Sequence, residues 1–115
     1  MIVSKSFYFE AAHSIPNHIK CGAVHGHSYR IDIICEGTIK ITTGMVIDFS
    51  DIKKAVTEKV LDKLDHQYLN NIEGLELPTA EILCQWIAQR LIDKLPLHTV
   101  RVWETKDAFA ELQLK

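Results

Sequence analysis

Apolar and polar residues alternate from Val3 to His13, with Phe7, Phe9 and Ala11 in one phase and Tyr8, Glu10 and Ala12 in the other. That is the period of a half-buried strand. Pro16, Asn17 and Gly22 break the pattern, which predicts a connecting loop from Ser14 to Gly22. Alternation resumes from His25 to Glu36, with Tyr29, Ile31, Ile33 and Cys35 in phase. An antiparallel hairpin is the simplest arrangement of two such neighbours. Gly37 to Gly44 reads as a turn region, followed by the short apolar run Met45 to Ile47. Ser50 or Asp48 can then cap a helix whose buried stripe is Ile52, Val56, Val60 and Leu64, with Ala55 beside it. Asp65 and His66 fall where the stripe ends, and Asn70 to Pro78 reads as a loop. Thr79 suits an N-cap and Glu81 the first turn of a second helix through Ile82, Leu83, Trp86, Ile87 and Leu91, which Pro96 stops. Thr99 to Leu114 reads as two short strands broken near Lys106 and Asp107.

The order strand, strand, helix, helix, strand, strand predicts an α+β fold. Two helices cover one face of a four-stranded antiparallel sheet, in a single domain spanning residues 1–115. So small a sheet has a modest core and edges to protect, and an oligomer that pairs those edges answers both needs.

Composition narrows the function classes. The 115 residues carry 13 Lys and Arg against 15 Asp and Glu, and this near-neutral balance removes the basic surplus that phosphate contacts require, so no nucleic-acid partner is expected. No apolar run approaches the roughly 20 residues that cross a bilayer, so no membrane partner is expected either. Lys5 interrupts the apolar N-terminal stretch, and no small-residue cleavage site follows it, so no export signal is evident. Three cysteines, an odd number without framework spacing, fit free thiols in a reducing cytoplasm. Cys35 and Cys84 fall in apolar patterns and are expected to be buried.

The candidate chemistry is concentrated in a few positions. His25 and His27 are two residues apart on a strand and so point the same way, in phase with Tyr29, while His13 ends the first strand in phase with Phe7 and Phe9. Pairing of the strands would bring all three imidazoles to one end of the hairpin. Three neutral imidazoles with an open position suit a catalytic zinc, whereas a structural site is usually closed by a fourth ligand. Gly26 leaves the backbone between the two histidines uncrowded. His18 and His98 lack such context and are expected in loop or surface roles. Cys21 could be a fourth ligand, a thiol without a role, or a reactive thiolate beside the metal, and its spacing does not separate these. Asp65 and His66 could form a proton relay or a polar helix end. Glu104 shares the phase of Val100 and Val102, so either the strand bends outward there or the carboxylate awaits a hydrogen-bond-donating ligand.

Six fragments, in order, carry a resemblance. They are FEAAH (9–13), CGAVHGHSY (21–29), GMVIDF (44–49), LDHQYLN (64–70), PTAE (78–81) and WET (103–105). Together they resemble the 6-pyruvoyltetrahydropterin synthase family, and most of all its bacterial branch, the 6-carboxytetrahydropterin synthases of queuosine biosynthesis. Three residues separate Cys21 from His25, as in that branch. The resemblance implies the tunnelling fold, with sheets joined around a barrel in a homohexamer of two trimers and sites at subunit interfaces. It implies zinc on His13, His25 and His27, Cys21 as proton acceptor, Asp65 and His66 as relay, and Glu104 as the pterin anchor. The implied reaction is that of a zinc-dependent lyase converting 7,8-dihydroneopterin triphosphate to 6-carboxy-5,6,7,8-tetrahydropterin, acetaldehyde and triphosphate. Pyruvoyl formation is the alternative within the family. A non-catalytic zinc-binding assembly module, closed by Cys21, is the alternative from another class.

Overall fold

The structure, a computed structural model, describes residues 1–114. Two long strands, β1 (Ile2–His13) and β2 (His25–Glu36), pair antiparallel in continuous register from Ile2 with Glu36 to His13 with His25. A helical stretch follows, made of α1 (Phe49–Val56), a π-helical turn (Thr57–Leu61) and α2 (Asp62–Leu64). Then come the two-residue β3 (Gln67–Tyr68), α3 (Ala80–Leu91), β4 (Leu97–Thr105) and β5 (Ala108–Gln113).

The strand order is β3-β1-β2-β4-β5. The α+β class and the element order agree with the sequence reading, but the four-stranded antiparallel sheet does not. The sheet has five strands and is mixed, because β3 pairs parallel to β1 through Ala11 and Ala12. A two-residue strand has no alternation to display, so pattern reading passes over it. Its position follows from tertiary hydrogen bonds, chief among them His66 N–H to the Glu10 carbonyl at 2.6 Å.

The first helix also departs from a simple α-helix. Ile52, Val56, Val60 and Leu64 are all fully buried, although a spacing of four drifts about 40° per step around an α-helix. The wider π turn takes up that drift and keeps the stripe on the sheet. Asp48 is the N-cap, accepting from Ser50 N–H, and the Thr79 hydroxyl accepts from Ile82 N–H at the start of α3.

The helices pack on the face that carries Phe9, Tyr29, Ile31, Ile33, Val100 and Val102, and this is where the core lies. Cys35 and Cys84 are buried there as expected. The core continues upward to the end of β1 and β2. Tyr29 stacks on Phe9 with ring centroids 4.9 Å apart, and His13, the last residue of β1, is fully buried above them. Among the described residues no helix is long and apolar enough to cross a membrane.

Candidate active site

The antiparallel register sets His13 opposite His25, and the pleat brings His27 to the same face. One nitrogen from each of the three rings lies within 4.8 Å of the others. The second nitrogen on two of the rings is already engaged. His13 Nδ1 lies 2.9 Å from the Pro78 carbonyl, and His25 Nδ1 lies 2.7 Å from the Ala23 carbonyl. A carbonyl only accepts, so each Nδ1 carries the proton and each Nε2 presents a lone pair. Those two Nε2 atoms face each other at 3.0 Å. His27 Nε2 is buried without a hydrogen-bond partner, although Glu104 Oε1 lies 3.3 Å away outside hydrogen-bonding geometry.

Converging lone pairs with no proton between them are the donor set of a cation site, so these residues fit a zinc ion. Burial lowers the His27 pKa, the Glu104 carboxylate opposes this, and His13 and His25 lower it further. The net shift favours the neutral, ligating ring. Beneath them Tyr29 Oη sits 3.1 Å from His13 Nδ1, and burial, with the Glu104 charge, pushes its phenol well above the usual range.

Cys21 is not part of this donor set among the described residues. It sits partly exposed on the loop between β1 and β2. That loop is closed at its base by Ser14, whose hydroxyl donates to the Gly22 carbonyl at 2.6 Å. Asn70 pairs with both backbone groups of Ser14, accepting from its N–H at 2.9 Å and donating to its carbonyl at 2.8 Å. His18 is a loop residue, as expected, and its Nδ1 accepts from the backbone of Lys20 and Cys21. Gly22 is required next to Cys21, because a Cβ there would lie 2.6 Å from the His18 carbonyl oxygen. Gly26 carries no such requirement, since its added Cβ would meet the Ala11 carbonyl at an ordinary 3.6 Å. His98, the other histidine without a site context, bonds Thr99 Oγ1.

Asp65 and His66 form the expected pair, with Asp65 Oδ1 3.0 Å from His66 Nδ1. The Glu10 backbone fixes both residues, its N–H donating to Asp65 Oδ1 and its carbonyl accepting from His66 N–H. The Glu10 N–H and, after it, the His66 bond hold the Asp65 carboxyl below its ordinary range. His66 is held at φ 60°, a left-handed conformation that non-glycine residues seldom adopt. Its ring is exposed, and it lines one cleft together with His27, Glu10, Gly26, Ser28 and Gln67. Of the three cluster histidines only His27 borders that cleft, and the Glu10, Gly26 and Ser28 of its lining lie on the strand phase opposite the imidazoles.

Of the two arrangements the alternation left open, Glu104 keeps the inward phase of Val100 and Val102 and does not bend outward. It lies in an irregularity where the β4–β5 register shifts between Trp103 and Thr105, with its carboxylate toward His27. The sequence reading passed over Asn70, which is an ordinary loop residue until its partner is seen. It also passed over the Pro78 and Ala23 carbonyls, because backbone groups carry no sequence signal.

Residues 2–115 match the family model "6-pyruvoyl tetrahydropterin synthase". A protein of Archaeoglobus fulgidus is 46% identical over 114 residues, covering 98% of this chain and 96% of its own. The 6-carboxy-5,6,7,8-tetrahydropterin synthase of Synechocystis is 45% identical over 111 residues, covering 90% and 86%. The dihydroneopterin monophosphate aldolase of Pyrococcus furiosus is 35% identical, covering 91% and 90%. The Caenorhabditis elegans 6-pyruvoyl tetrahydropterin synthase structure superposes with a TM-score of 0.92 at 24% identity, over 100% of this chain and 96% of that one, and so shares the fold.

Proposed function

This chain belongs to the 6-pyruvoyl tetrahydropterin synthase family, and from that membership we propose that it is a zinc-dependent lyase, a 6-carboxytetrahydropterin synthase acting on 7,8-dihydroneopterin triphosphate in queuosine biosynthesis. The observation that carries the reading is the convergence of His13, His25 and His27, two of them with Nδ1 committed to a carbonyl and Nε2 bare. The carboxy branch is supported by the Synechocystis relative of that name at 45% identity, against 33% for the human 6-pyruvoyl tetrahydrobiopterin synthase over 70% of this chain.

The reaction is balanced within the substrate and one water. The first side-chain carbon ends as the carboxylate and the other two leave as acetaldehyde, while triphosphate departs from the third. Oxidation of the side chain is matched by reduction of the dihydropterin ring to the tetrahydro level. His13, His25 and His27 would hold the zinc, which when bound would supply Lewis-acid polarisation of the side-chain oxygens. Cys21, as thiolate, accepts a proton from the side chain. His66, with Nδ1 held by Asp65 and Nε2 free, moves a proton on another side of the substrate. Glu104 accepts two hydrogen bonds from the pterin amino and ring N–H groups, which accounts for a carboxylate kept on the inward phase.

An assembly of two trimers with shared sites agrees with the exposed ring of His66 and with the unpaired outer edge of β5. The cytoplasm is the compartment that this chemistry and three cysteines without a disulfide among the described residues suit. The non-catalytic zinc module loses its main support, because Cys21 is not among the converging donors. Product analysis after incubation with 7,8-dihydroneopterin triphosphate tests the reading.

A further inference from the structure

The sheet face opposite the core holds a buried carboxylate that the chemistry above does not use. Asp32, on β2, is only 3% exposed and accepts three hydrogen bonds. Ser6 Oγ donates at 2.6 Å and Arg30 Nε at 2.9 Å to Oδ1, and Trp103 Nε1 donates at 2.8 Å to Oδ2. Trp103 is also packed against the Phe109 ring, with centroids 4.5 Å apart, and under the Arg30 guanidinium at 5.1 Å. Trp103 immediately precedes Glu104, and the ladder between β4 and β5 is irregular at this point. Trp103 is the last residue of β4 paired to β2, opposite Arg30, and beyond it the irregular ladder leaves Glu104 less constrained, so the contacts of the Trp103 side chain help to hold this end of the strand. Across the pleat, fixing Trp103 on one face fixes the direction of Glu104 on the other.

We infer that Asp32 is a positioning residue for Glu104: by pinning the Trp103 indole, it holds the bulged end of β4 so that the Glu104 carboxylate points into the site. This rests on the pterin-anchoring reading of Glu104. It gives a purpose to a carboxylate, paired with Arg30, that is buried where an apolar strand residue would fit. Asp32 touches none of the proton-moving groups, so its removal weakens pterin binding and raises KM while kcat stays close to wild type.

The test is calorimetric binding of 7,8-dihydroneopterin, which lacks the triphosphate, to zinc-loaded protein. The wild type binds it and Glu104→Ala does not. Asp32→Ala and Trp103→Phe each retain zinc and weaken binding about tenfold or more, the scale of one lost hydrogen bond to a charged group. The double variant is no weaker than the worse single one, because both remove the same bond. Asp32→Asn, which keeps an acceptor for the indole, recovers most of the affinity. Should Asp32→Ala fail to fold, Asp32→Leu, which fills the site without an acceptor for the indole, takes its place, and Trp103→Phe, which keeps an aromatic ring but loses the N–H and part of the indole's bulk, is read beside it. Wild-type affinity in folded, zinc-loaded Asp32→Ala and Trp103→Phe would overturn the inference and leave the pterin reading standing. Equal weakening by Asp32→Asn and Asp32→Ala would overturn it too, by assigning the effect to charge. A wild type that does not bind dihydroneopterin would remove the pterin reading and this inference together.

Discussion

His13 Nε2 and His25 Nε2 face each other at 3.0 Å, and neither has a proton to offer the other. Pro78 and Ala23, through their carbonyls, fix both tautomers from outside the pair. Without a cation this is a meeting of lone pairs, and with one it is a coordination site. Metal-free protein is therefore expected to take up about one zinc per chain and to melt several degrees higher when it does, since a ligand at 100 times its Kd stabilises by about 2.7 kcal/mol. Metal analysis of His27→Ala should show the zinc lost together with activity while the circular dichroism stays native. Undiminished zinc in that variant would remove His27 from the ligand set.

Cys21 distinguishes a base from a ligand. With the three imidazoles intact, Cys21→Ala is expected to retain zinc and pterin binding but to lose turnover by about 10²–10⁴-fold, the usual contribution of a general base. Cys21 should also be alkylated faster than the buried Cys35 and Cys84. Zinc content and turnover measured on one sample decide the matter, because a ligand role predicts weak metal binding in the variant.

Asp32 gives a pH signature in stability. Burial raises its pKa, but the bonds from Ser6, Trp103 and Arg30 together outweigh burial and hold it below 3.8. A carboxyl depressed on folding contributes stability that is present above its unfolded pKa and is lost as pH falls through the folded value. Asp32→Asn should therefore melt below wild type at pH 6, with the gap narrowing below about pH 4. Thermal unfolding between pH 2.5 and 7 checks this, and a gap independent of pH would contradict it.

Assembly is the fourth expectation. Tyr8 is 70% exposed, and β5 leaves one side of the sheet unpaired. An edge of this kind can be covered by a second copy, as the family resemblance implies. Light scattering behind a sizing column should give a symmetric oligomer, a hexamer on the reading above, at micromolar concentration. A monodisperse 13.1 kDa species would contradict the shared-site arrangement.

Much of this was legible before the coordinates. The phases of His13, His25 and His27 followed from a period of two, and the register of β1 with β2 kept them together. Cap chemistry likewise placed Thr79 and offered Asp48 as one of two caps, whereas alternation left the direction of Glu104 open. What the sequence hid was carried by groups without a pattern. The π turn corrects a drift that shows only against the sheet, β3 is too short to alternate, and the carbonyls of Pro78, Ala23 and Glu10 belong to the backbone. Asp32 was hidden differently. It sits on the outward phase beside Arg30, where a charged residue looks solvated, and its partners Ser6 on β1 and Trp103 on β4 come into view only with the sheet.

The most direct test of the central claim is mass analysis of the products formed from 7,8-dihydroneopterin triphosphate by the zinc-loaded protein. The account predicts 6-carboxy-5,6,7,8-tetrahydropterin together with acetaldehyde and triphosphate in equal amounts, and none of these with Glu104→Ala. A pterin that keeps all three side-chain carbons would contradict it by placing the chain in the pyruvoyl branch. A hydroxymethylpterin with a phosphorylated two-carbon aldehyde, the balance of a retro-aldol cleavage, would contradict it as well.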